Sequence, residues 1–494
     1  MQNIEVDVKY DLVIIGAGPA GTPVAIEYAK LNKDKKIALV DSLGKLGGEC
    51  LFQGCIPSKI MEASAKQIKS LDDLAEFGII LNDTHYQLLW EKIKERKESI
   101  LNKRNGAAQE FVNELENIEL IQAEASFLSD NTLKLIKNEN EKIITFDKAV
   151  IATGSHSFIP KYEGSGADKI WTNSDFFAKM ELPKSIAIIG TGAIAVEFTM
   201  ILSKLGVEVD IFGRKEEILV NLDREASSYL LKKLQNSPNI KLHLGSNISK
   251  IDLNDDIFEV TYIQNESEYN IHTQRVLSAA GRVANIEYLG LENTSVDFSS
   301  KGIEVSQNLQ TSCENIYANG DVVDGFPKFA HTAQYGAHTL AQNLFLGHNY
   351  FAVDYDINSW VLFSMPNVAM AGVSEADVKK RKLDVLIDRF EFNTEAKSQI
   401  ESEDYGYLKY IVEKKSNIII GISIMHEEAQ SMGGEAALIV ANRLTLKDII
   451  RSIHPHPTIS ESFVMLAKKM MGGIMLQKLE NPIVKKLLEI ERWL

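Results

Sequence analysis

One arrangement of apolar and polar positions occurs twice along this chain. Residues 10–15 form a short apolar run that ends in Gly16-Ala17-Gly18-Pro19-Ala20-Gly21. Residues 23–31 then read as a helix, and residues 36–40 as a second strand closed by Asp41. The second cycle starts at 185–189, passes Gly190-Thr191-Gly192-Ala193-Ile194-Ala195, and continues as a helix to Lys204 and a strand at 207–212. Strand, glycine turn, helix, strand is the mononucleotide-binding unit, so an internal repeat of it is predicted. Residues 58–74 and 86–115 carry helical periodicity, and residues 117–146 alternate like a small antiparallel ribbon. A further strand at 315–321 ends in Gly-Asp. From about Ser359 strands and helices follow without a glycine fingerprint, which predicts a separate C-terminal domain.

The glycines of each loop allow a tight turn and close approach of a pyrophosphate, and the helix start behind them offers N–H donors. In the first loop Asp41 is placed to accept hydrogen bonds from a ribose. The second loop is G-x-G-x-x-A, and its second strand runs into Phe212-Gly213-Arg214-Lys215. Cations stand where an acid would read a ribose 2′-hydroxyl. They suit a 2′-phosphate better, which favours NADP over NAD, although exposed turn residues would look the same.

Between the two cycles lies Gly47-Gly48-Glu49-Cys50-Leu51-Phe52-Gln53-Gly54-Cys55-Ile56-Pro57-Ser58-Lys59. Thiol–disulfide exchange needs one thiolate to attack and another to resolve, and two nearby cysteines supply both. Pro57 suits the opening of a helix, whose free N–H groups favour a thiolate. A structural zinc site wants four ligands, and the third cysteine, Cys313, stands alone, so no metal is expected. Near the C-terminus is His454-Pro455-His456-Pro457-Thr458-Ile459-Ser460-Glu461. A histidine there can carry a thiol proton near neutral pH, and Glu461 can orient it; alone, the segment would read as a His/Pro turn.

Length and charge narrow the picture. At 494 residues the chain has room for about three domains. Its net charge of −15 argues against general nucleic-acid binding. No apolar run nears the roughly 20 residues a membrane span needs, and the first nine residues lack the basic start of a signal peptide. Three cysteines make no secreted disulfide framework, so a cytoplasmic protein is expected.

Together these motifs resemble those of the class I pyridine nucleotide-disulfide oxidoreductases, the flavoprotein family of dihydrolipoamide dehydrogenase, glutathione reductase and mercuric reductase. The cysteine block is similar to the family's G-G-x-C-x-x-x-x-G-C-[IV]-P-[SK]-K. Ile151-Ala152-Thr153-Gly154-Ser155 resembles its ATG segment, and Asn315-Ile316-Tyr317-Ala318-Asn319-Gly320-Asp321 its second FAD motif. The two-histidine signature and Phe329-Ala330-His331-Thr332-Ala333 most resemble dihydrolipoamide dehydrogenase. Several positions depart from it. Gly213 replaces an acid, Ala195 a glycine, and Glu49 and Phe52-Gln53 the usual Thr and Asn-[VIT] fillers.

The resemblance implies an α/β fold with two Rossmann-like dinucleotide-binding domains and a C-terminal α+β dimerisation domain. The implied division is 1–155 and 284–357 for FAD, 156–283 for NAD(P), and 358–494 for dimerisation. For FAD it implies Gly16, Gly18, Pro19, Ala20, Gly21 and Asp41 from the first cycle, with Gly48 and Lys59 from the cysteine block. Ala125, Thr153, Gly154, Arg282, Asp321 and Ala330 complete that set. For NAD(P) it implies Gly190, Gly192, Ala195, Glu197, Arg214, Lys215 and Gly281. Cys55 would be the thiol next to the flavin and Cys50 the one that meets substrate. His456, reaching across a homodimer, would be the base, with Glu461 orienting it. Lys59 and Glu197 would pair near the flavin ring. The implied activity moves electrons between NAD(P)H, FAD, a Cys50–Cys55 disulfide and a small dithiol or lipoyl-carrier protein, dihydrolipoamide first. An NADPH-dependent reductase of another disulfide, or an FAD-binding scaffold without turnover, are the other readings. Residues 470–494 read as an amphipathic tail, with Pro482 ahead of an apolar stripe through Trp493 and Leu494, suited to packing on its own dimer.

Overall fold

The structure is a computed structural model that describes residues 8–82 and 86–480. The apolar stripe after Pro482 lies outside the described residues. The chain forms two compact units. One joins residues up to 216 with 237–354, and the other joins 217–236 with the chain from 355 onward.

The first unit contains both glycine cycles. Strand β1 (Val8–Ile15), helix α1 (Thr22–Leu31) and strand β2 (Ile37–Asp41) follow the first pattern. β1 lies between β2 and the long strand Asn140–Ile151, parallel to both. Leu12, Val13 and Ile14 are fully buried, as a parallel strand covered on both faces requires. Burying each such side chain contributes about 1.5–3 kcal/mol. Strand Ile316–Ala318 pairs parallel on the far side of Asn140–Ile151, bringing Gly320 and Asp321 to the same sheet end as the first glycine loop.

The ribbon expected over 117–146 needs correction. Ile118–Gln122 is a parallel edge strand beside β2, tied in where Ile37 N–H donates to the Asn117 carbonyl. The antiparallel ribbon begins only at Glu124. A short alternating run can serve either pairing, and only the position of β2 decides which.

The second cycle gives a parallel sheet in the order Ile240–Leu244, Glu208–Gly213, Ser185–Ile189, Arg275–Ser278. Its helix is Ala193–Lys204.

The other unit holds a five-stranded antiparallel sheet in the order Ser359–Leu362, Asn367–Gly372, Ile419–His426, Tyr407–Glu413, Val385–Glu391. Helices Ala429–Ala441 and Glu461–Glu480 pack on its core around Tyr410, Phe392 and Phe463. Tyr407–Glu413 is buried along nearly its whole length and carries Lys409. That ammonium is matched by Asp223 and Glu375, each at 2.7 Å, and by Glu225 at 3.1 Å. Among the described residues no helix is long and apolar enough to cross a membrane.

Candidate active site

The first loop turns where β1 ends. Gly16 has φ +108, and a Cβ there would stand 2.3 Å from the Ala152 carbonyl oxygen, so only glycine fits. Asp41 reaches back into this loop and accepts the Ala17 N–H at 3.1 Å. Gly18 and Gly48 meet backbone to backbone: a Cβ on Gly48 would lie 2.8 Å from the Gly18 Cα. The cysteine block is thereby pressed against the loop, with Pro19, Ala20 and Gly21 leading into α1. Thr153 and Gly154 follow Ala152 beside Gly16. Asn319 donates to the carbonyls of Ala20 (3.1 Å) and Ala333 (2.9 Å), which joins the loop to the helix that starts at Ala330. Asp321 accepts from the Ser155 hydroxyl at 2.7 Å. Ala125 lies farther along the ribbon, two residues past Ala123, whose N–H donates to the Asp41 carbonyl.

The cysteines occupy two helices broken at Gln53-Gly54. Helix α2 (Gly48–Phe52) carries Cys50, and helix α3 (Cys55–Asp73) opens on Cys55. Both are free thiols. The Cys55 thiol is pulled below its usual range, mainly by the neighbouring Cys50 thiol, aided by its own N–H at the helix start and by Lys59, against the opposing effect of burial. Cys50 is pushed well up, first by Cys55 and then by burial. Of the two, Cys55 is the thiol that ionises more readily. The buried thiol of Cys313 is raised by desolvation and donates to Asn315.

Lys59 meets Glu197 of helix Ala193–Lys204 at 2.8 Å and Glu62 at 3.3 Å. This ion pair ties the cysteine helix to the second cycle. In that cycle Gly190 has φ +125, and a Cβ would touch the Ala279 carbonyl at 2.4 Å. Space is open around Gly192, Ala195 is fully buried, and Gly281 has φ +134. Arg214 and Lys215 are exposed at the end of Glu208–Gly213. A side chain on Gly213 would put its Cβ 2.5 Å from the Thr191 methyl and 3.1 Å from Leu244.

In the other unit, His456 is exposed, and its Nδ1 lies 3.0 and 3.2 Å from the Glu461 carboxylate oxygens. Glu461 also accepts the Thr458 N–H. Burial pushes the Glu461 carboxyl up, but Thr458 and His456 outweigh it and hold the group below its usual range. His454 has a carboxylate of its own, Glu435 at 2.7 Å.

The sequence did not reveal what holds Glu49. Both of its oxygens engage the Arg282 guanidinium, one at 2.9 Å, and Asn173 donates to it at 2.9 Å. Its unusual residue type beside Cys50 was the sole signal.

The profile of the pyridine nucleotide-disulphide oxidoreductases matches residues 10–337, and that of their dimerisation domain matches 358–467. The chain belongs to this family. It is an oxidoreductase of a family that depends on FAD and NAD(P). Relatives include the dihydrolipoyl dehydrogenases of Buchnera aphidicola subsp. Acyrthosiphon pisum, 33% identical over 94% of this chain and 96% of that protein, and of Bacillus subtilis, 29% identical over 94% and 97%. In fold the family member resembles a cysteine variant of the HOCl-induced flavoprotein disulfide reductase RclA from Escherichia coli, solved as its Cu(II) complex. The TM-score is 0.81 at 22% identity, over 93% of this chain and 99% of that one.

Proposed function

We propose that this oxidoreductase oxidises a small dithiol, dihydrolipoamide first, and reduces NADP, in a homodimer of the cytoplasm. The carrying observation is the pair of free cysteines, Cys50 in helix α2 and Cys55 at the opening of helix α3 with Lys59 one turn on, where the Cys55 thiol is held below its usual range. The FAD site fits the residues present. The Gly18–Gly48 approach leaves backbone where side chains would block a pyrophosphate, and Asp41 and Asp321 offer carboxylates for a ribose and a ribityl chain. Gly16, Thr153, Lys59 and Arg282 would line the same site. FAD supplies the two-electron link between nicotinamide and sulfur when bound.

The protein's own groups do the rest. With the pair oxidised, a substrate thiolate attacks the Cys50 sulfur, the Cys50–Cys55 bond breaks, and Cys55 leaves as a thiolate. The second substrate thiol then attacks the mixed disulfide, substrate closes to its own disulfide, and Cys50 leaves with the electron pair and takes a proton. Of the two protons released by substrate, one passes to Cys50 and His456 of the partner subunit would hold the other, kept in one tautomer by Glu461. Lys59 and Glu197 orient the cysteine helix against the nucleotide side.

The preference for NADP is supported by the closure at Gly213. Thr191 fills the place an acid would need, and Arg214 and Lys215 stand free to meet a 2′-phosphate. The same closure favours, as the second reading, an NADPH-dependent reductase of another disulfide. Rates of dihydrolipoamide oxidation with NAD and with NADP test both. Turnover of dihydrolipoamide with neither nucleotide, alongside NADPH-driven reduction of other disulfides, selects the second.

A further inference from the structure

Glu49 is joined to Cys50 by one peptide bond, and its carboxylate is held from several elements. Arg282, which opens strand Arg282–Ala284, grips both oxygens. Asn173, buried at the start of helix Asn173–Lys179, donates to Glu49 at 2.9 Å and to the Gln53 carbonyl at 2.6 Å. That helix is anchored by Phe176 against Phe198, at 5.4 Å between ring centres. Arg282 is itself fixed, donating to the Ser155 hydroxyl at 2.8 Å and the Ser155 carbonyl at 2.7 Å, with Asp321 at 3.7 Å. A two-oxygen guanidinium grip in a half-buried site is directional and hard to replace.

We propose that Glu49 and Arg282 form a charge clasp that sets how readily the reduced cysteine pair carries its negative charge. Glu49 thereby acts as a positioning residue, not a catalytic one. The inference deepens the disulfide-oxidoreductase reading and rests on it.

The other charges around the pair are Lys59 on α3, Glu197 on Ala193–Lys204 and Glu62 on α3. Lys45 lies over the Phe52 ring, and Lys328 donates to the Arg282 carbonyl. Lys59 is matched by Glu197 and Glu62, and Arg282 by Glu49 and, less closely, by Asp321. Removing one member of the clasp therefore changes the charge beside the thiols by one unit. Without Glu49, the Arg282 cation favours the thiolate. Without Arg282, the Glu49 anion opposes it, in the direction it already adds to at Cys50. A charge one residue from a partly buried thiol is worth about one pH unit, a tenfold change in thiolate fraction.

The test is made on the FAD-loaded full-length protein, reduced by two electrons, by following the long-wavelength thiolate–flavin absorbance against pH. Glu49→Gln should keep the band to about one pH unit lower than native. Arg282→Gln, reconstituted with added FAD, should lose it about one unit higher, and the double variant should return towards native. Because the two single variants move oppositely, either suffices if the other does not hold flavin. A midpoint unmoved in whichever variant loads, whatever its unfolding temperature, overturns the clasp and leaves a structural brace. If native protein shows no band at any pH, the proposed function has failed instead.

Discussion

Lys59 and Glu197 stand 138 residues apart in sequence and meet at 2.8 Å. Lys59 is one turn beyond Cys55 on α3, and Glu197 is in the helix of the second glycine cycle. The contact makes the charge of the sulfur pair and the packing of the nucleotide side parts of one arrangement. Lys59 lowers the Cys55 thiol, and Glu197 opposes it.

Replacing Lys59 by Met should therefore raise the pH at which the thiolate–flavin band is half lost, by about one unit. Glu197→Gln should lower it. The sign follows from which charge remains beside an acid whose ionised form is negative. Absorbance titration of the reduced protein measures both, and shifts of the same sign would refute the assignment.

The two cysteines should separate by spectrum. Cys50→Ser should retain the long-wavelength band and lose dithiol turnover, since the helix-start N–H and Lys59 still lower the Cys55 thiol and a serine hydroxyl can still donate to it. Cys55→Ser should lose the band itself. Parallel absorbance and turnover measurements decide this, and a band surviving in Cys55→Ser would reverse the roles.

At the second loop, Arg214→Glu should lower kcat/KM for NADPH about 10- to 100-fold, the worth of one or two charge-assisted hydrogen bonds, with little loss for NADH. Gly213→Glu alone meets the Thr191 methyl and should destabilise by about 1–3 kcal/mol. Adding Thr191→Gly should relieve the clash and move preference towards NADH. Equal losses with both nucleotides in Arg214→Glu would contradict a 2′-phosphate role.

His456→Gln should cut turnover by about a hundredfold or more, and Glu461→Gln by less, with flavin spectra unchanged. Glu461 is held below the ordinary carboxyl range, so its bond to His456 is complete above that ordinary range. Its contribution is lost only as pH falls through the lowered value. A pH–rate profile on the acid side should therefore steepen in native protein and flatten in Glu461→Gln.

Much of this was legible in the chain. Each glycine loop lies between a strand and a helix, as the apolar spacing requires, because a period of two and a period near four leave different traces. The motif residues are local: Gly16, Gly48, Cys50 and Cys55 are recognisable by neighbours alone. Helix α3 starts at Cys55, three residues before the periodicity shows it. The Ser58 N–H bonds the Gly54 carbonyl, so the first turn closes ahead of Pro57, and its residues Cys55, Ile56 and Pro57 follow one another as an unbroken apolar run that shows no helical spacing.

The sequence by itself determined the residue types, the two nucleotide cycles and the sulfur pair, because backbone turns and periodic burial are written in short stretches of chain. Only the tertiary structure decided that Ile118–Gln122 joins the parallel sheet, that Thr191 closes the position at Gly213, and that Glu49 is gripped by Arg282 across 233 residues. Those contacts depend on side chains from distant segments meeting at fixed distances, and no local pattern carries a distance.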